Sequence, residues 1–102
     1  MDTTADEIRT LDDLRSFVHR TLCEKENLLP DQFTMTEMQL FKRSRVCGLQ
    51  FSLHGPRSVR LGAIWARDHN TVYLYDAGGQ RYRKIHVRRR LHGLEEVERR
   101  PA

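Results

Sequence analysis

The run Arg45–Tyr75, RVCGLQFSLHGPRSVRLGAIWARDHNTVYLY, decides the fold. In Arg45–His54 the odd positions Cys47, Leu49, Phe51 and Leu53 are apolar, and the even positions Gly48, Gln50, Ser52 and His54 are small or polar. Side chains alternate across a strand, so this period of two marks one dry face and one wetter face. His54-Gly55-Pro56-Arg57 then turns the chain, because proline fixes φ and cannot donate to a ladder. Ser58–Ala66 places Val59, Leu61, Ala63 and Trp65 on one face. Its other face carries Arg60, Gly62, Ile64 and Ala66. A strand nearly apolar on both sides belongs in mid-sheet. Arg67-Asp68-His69-Asn70 is a second turn, and Thr71–Asp76 is rich in the β-branched and aromatic residues that suit a third strand.

Outward from this meander, Ala77-Gly78-Gly79-Gln80 turns again. Arg81–Arg88 reads as a further strand whose charges place it at an edge, where lysine and arginine discourage a second sheet from adding. Upstream, Leu11, Leu14, Phe17, Val18 and Leu22 recur at helical spacing. Thr10 and Asp13 form a weak capping box at the start of that stripe. The helix is expected over Leu11–Lys25, ending before Leu28-Leu29-Pro30. Gln32–Lys42 reads as a first strand with a slip in parity: Phe33 and Met35 are odd, Met38 and Leu40 even. A bulge near Thr36-Glu37 reconciles them. Helix is the competing reading for Thr34–Lys42.

The expected fold is therefore α+β, one N-terminal helix packed on an antiparallel meander of four or five strands. Residues 1–9 read as a flexible N-terminus and 10–88 as the single domain. Residues 89–102 read as a mobile basic and acidic tail, with one or two helical turns around Leu94 and Val97 as the alternative. A chain of 102 residues is long enough for one core without staples. No apolar run approaches the roughly 18 residues needed to span a bilayer. The opening MDTTADEIRT has neither the basic nor the apolar part of a secretory signal. The expected compartment is the cytoplasm, where Cys23 and Cys47 stay free thiols. The parity of Cys47 puts it in the core with Leu49 and Phe51.

Charge is uneven. Residues 1–26 hold seven acids and four bases, a net of −3; the total is +4, so residues 27–102 carry +7. Much of that excess lies in Arg81, Arg83, Lys84, Arg88, Arg89 and Arg90.

Catalytic motifs are not evident. His19, His54, His69, His86 and His92 include no pair at i, i+4 and no H-E-x-x-H frame, so no metal site is expected. Asp68-His69 resembles half a triad in composition only, and no serine sits in a G-x-S-x-G frame. Asp68 and Asp76 read as turn residues rather than paired catalytic acids. Gly78-Gly79 lacks the rest of a phosphate loop. The reading is non-enzymatic, with no cofactor.

Basic residues beside aromatics are the more informative pattern. Arg60, Tyr73, Tyr75, Arg81, Tyr82, Arg83 and Lys84 fall on neighbouring strands, and Arg88, Arg89 and Arg90 extend them. One reading is a protein-interaction module that works through an exposed sheet face or edge, with an unidentified partner or a second copy of itself. A helix of about fifteen residues is about 22 Å long. It covers one face of such a sheet and leaves Ile64, Tyr73 and Tyr75 on the other. The alternative is single-stranded nucleic acid, with bases stacked on tyrosines and phosphates held by Arg and Lys. Against it, no RNP-like run is present. The bland reading of the same residues is a solvated basic edge with tyrosines at its rim.

The segment Met35–Tyr82 also resembles a group of short bacterial proteins that share a C-G-L-x-F…H-G-P-R-S-V-R…A-I-W…H-N-T-V-Y…G-x-R-Y core. The likeness spans roughly residues 10–88. That group has no assigned activity, substrate or cofactor, so the resemblance lends no functional residues. It implies a complete small cytosolic domain.

Overall fold

The computed structural model describes residues 7–94. Helix α1 spans Leu11–Lys25. Its start is set by a full capping box: Thr10 Oγ1 accepts from the Asp13 backbone N–H, and the Asp13 carboxylate accepts from Thr10 N–H in return. Asp13 also accepts from Arg9 N–H, and these backbone donors hold its carboxyl below the ordinary value of 3.8. Five strands follow: β1 Met35–Lys42, β2 Arg45–His54, β3 Arg60–Ala66, β4 Thr71–Tyr75 and β5 Arg81–His86. They pair antiparallel in the order β1-β2-β3-β4-β5, so each strand lies beside its sequence neighbour and β3 is central, as its two-faced apolar pattern requires. The fold is the expected α+β meander with five strands.

One face of the sheet is dry. Gln39–Leu49–Trp65–Val72–Ile85 form one cross-strand row. Leu49, Phe51, Leu61, Ala63, Trp65, Val72, Leu74 and Ile85 are all buried against Leu14, Phe17, Val18 and Leu22 of α1. Each fully buried large apolar side chain contributes about 1.5–3 kcal/mol, so this layer carries the fold.

Several expectations are corrected. The first strand holds over Met35–Lys42 against the competing helix, but it starts later than Gln32, which belongs to a 3-10 turn at Pro30–Gln32. The bulge does not sit at Thr36-Glu37. The register slips where Leu40 pairs Gly48 but Phe41 pairs Val46, which leaves Cys47 as the extra residue. Parity therefore flips at Cys47. Val46 takes the core position and Cys47 is only half-buried, while Cys23 is fully buried. The core also reaches past both ends of 10–88. Ile8, Leu91 and Leu94, outside 10–88, are buried with it. His92 is the reason: Leu11 N–H donates to its carbonyl at 2.9 Å and its own N–H donates to Arg9 at 3.0 Å. This short parallel bridge ties the two ends of the domain together. The helical turns considered around Val97 lie outside the described residues.

Candidate functional site: the open sheet face

The second face of the sheet is covered by no helix or strand among the described residues. Its central row runs Met38–Gln50–Ile64–Tyr73–Lys84. Beside it lies Thr36–Ser52–Gly62–Tyr75–Arg81. Met38 is 58% exposed, and Ile64, Tyr73 and Tyr75 are half-buried. Single exposed apolar residues are ordinary, but a contiguous strip of them rimmed by polar groups marks an interaction surface.

Local chemistry shapes this strip. Gly62 has no side chain, so the sheet is dished between Ser52 and Tyr75. The resulting groove, about 310 Å³, is bounded by Gln50, Arg60, Ile64, Tyr75 and Asp76. Asp76 closes one end and is already committed to its turn, accepting from Gly78 N–H at 3.0 Å and Gln80 N–H at 2.9 Å. The Arg81 guanidinium stands 5.2 Å from the centre of the Tyr73 ring, a cation–π contact that fixes its charge over the face.

Electrostatically the face is one-sided. Glu37 is the only carboxylate in all five strands. Its carboxylate is bound by Arg15 of α1 at 2.6 and 2.9 Å through a two-pronged pair, which raises the Arg15 pKa and places Glu37 on the helix side. Asp12, Asp13 and Glu24 also lie on α1. These acids are balanced on α1 by Arg15, Arg20 and Lys25, whereas Arg60, Arg81 and Lys84 frame the open face with no strand carboxylate beside them.

Of the ten residues singled out from sequence, Arg60, Tyr73, Tyr75, Arg81 and Lys84 come together here. Tyr82 does not. A register slip between Leu74 and Tyr75 skips it, and its ring packs on the core under the Lys25 ammonium, 4.7 Å away. Burial pushes its hydroxyl pKa up. Arg83 is half-buried and engaged elsewhere. Arg88 and Arg89 lie beyond β5, and Arg90 lines a separate hollow next to Trp65. Met38, Gln50 and Gly62 were missed as site residues. Their even parity on β1, β2 and β3 was the available signal, but it identifies a face and not a contact.

No family model, no curated protein and no solved structure matches this chain. No described helix is long and apolar enough to cross a membrane.

Proposed function

We propose that the protein is a small non-enzymatic binding module of the cytoplasm, and that the open sheet face docks a protein partner with an apolar, acidic surface. One observation carries this: an uncovered apolar strip holds a side-chain-sized groove over Gly62, is framed by Arg60, Arg81 and Lys84, and contains no strand carboxylate. An aliphatic or aromatic anchor fits the groove, and flanking acids meet the three cations. A symmetric dimer through this face is disfavoured, since it would set these cations against their own copies. Two free thiols accord with the compartment.

The nucleic-acid reading draws on the same cations. Met38, Leu40 and Ile64 offer no flat surface for bases, and Arg81 already occupies the Tyr73 ring, so protein is favoured. The test titrates a peptide of alternating leucine and glutamate, oligo-dT and oligo-U into the protein at low and high salt, followed by amide NMR shifts. Peptide binding mapped to Ile64, Tyr73 and Tyr75 and weakened by salt supports the proposal. Oligonucleotide binding without peptide binding replaces it with the nucleic-acid reading. No shift at the open face from any probe overturns both.

A further inference from the structure

We propose a second site, independent of the open face: the hollow beside the β3–β4 turn binds a small organic phosphomonoester. Its volume is about 480 Å³, inside the range of small-ligand sites. Three distant parts of the chain build it. Arg45 opens β2, Arg67–Asn70 form the turn after β3, and Arg90–Leu94 cross from the C-terminal side.

The floor is apolar. Trp65, Leu91 and Leu94 are buried beneath it, and the indole N–H of Trp65 is already committed to Asn70 Oδ1 at 2.8 Å. The rim is cationic. Arg45, Arg67 and Arg90 converge on one hollow, with Asp68 as the one carboxylate among the described residues of its lining. Among the described residues the side chains of Arg45 and Arg90 make no hydrogen bond or ion pair. Like charges brought together disfavour one another unless an anion joins them. Arg45 and Arg90, which no described acid meets, are the pair an anion would join. A phosphomonoester carries about −1.5 to −2 at neutral pH and matches the forked guanidinium geometry. Its organic body would rest on the Trp65–Leu91–Leu94 floor.

The walls are held in advance of any ligand. Asn70 sits at φ 46°, and its Nδ2 donates to the carbonyls of Val87 at 3.0 Å and Arg89 at 2.8 Å. That clasp fixes the segment carrying Arg90. Arg67 Nη1 donates to the Val46 carbonyl at 3.0 Å, which fixes the turn against β2. Such preorganisation lowers the ordering cost of binding.

The experiment uses calorimetry on the full chain with adenosine monophosphate, adenosine and inorganic phosphate as probes. Adenosine monophosphate should bind, and the other two should bind at least about tenfold more weakly, each lacking one half of the recognition. Arg45→Gln and Arg90→Gln, both exposed positions, should each weaken it about tenfold. Lys84→Gln, on the open face, should leave it unchanged, which separates this site from the docking surface. Absence of binding overturns the proposal. So does equal weakening by Lys84→Gln, which would mean diffuse attraction to a basic protein.

Discussion

On the covered face of the sheet one row reads Leu49, Trp65, Val72, Ile85; on the open face the row beside it reads Gln50, Ile64, Tyr73, Lys84. The same strands build both. The first row is 1% exposed or less throughout and meets α1. The second is half-buried by its own neighbours alone, apart from its exposed end at Lys84. A strand pattern thus specifies two surfaces with different tasks. One must exclude water to hold the fold, and the other keeps apolar area that the proposed docking would use.

That contrast can be broken first at its largest difference. Phe51→Ala empties a fully buried position and should cost about 3–5 kcal/mol, read as a lower urea midpoint. Ile64→Ala, half-buried on the open face, should cost about 1 kcal/mol or less. Equal losses would mean that the open face is covered after all.

The glycines sharpen the comparison further. A Cβ at Gly48 would collide with the Trp65 carbonyl oxygen. Backbone must move, so Gly48→Ala should cost about 1–3 kcal/mol. A Cβ at Gly62 meets only the Phe51 carbonyl oxygen at 3.5 Å, an ordinary contact. Gly62→Val should leave the thermal midpoint nearly unchanged while filling the groove and abolishing peptide binding. If Gly62→Val unfolds the protein instead, the groove is structural.

Smaller effects test the helix that makes the covered face dry. Thr10→Ala removes the cap and should cost about 1 kcal/mol. The pH dependence follows from Asp13. Its folded pKa lies below 3.8, so its contribution is present above that pH and is lost as pH falls through the depressed value. Asp13→Asn should flatten this part of the acid limb of stability against pH. Finally, Cys23 is buried and burial raises its pKa, whereas Cys47 is half-exposed at the bulge. Iodoacetamide should label Cys47 first, and Cys23 only as the fold opens; the reverse order would contradict the register slip at Cys47.

The helix and its exact span, the strand order and the central place of β3 were legible in the chain, because they rest on local periodicity and on turns between adjacent elements. Arg60, Tyr73 and Tyr75 were legible as neighbours for the same reason. The bulge was not. Leu40 and Phe41 could slip against β2 at several points, and the burial of Val46 in the core goes with Cys47 as the extra residue. Tyr82 was misplaced by the second slip, which no composition signals.

Alternation of apolar and polar residues is written into the chain and determines that there is a sheet with two unlike faces and an amphipathic helix to cover one. Which residues meet across long sequence separations is decided by packing alone. Ile8, Leu91 and Leu94 join the core, and Arg45, Arg67 and Arg90 gather round one hollow, because the ends of the domain fold back through His92 and Asn70. Local propensity cannot encode such meetings, since each residue's own neighbours in sequence carry no record of them.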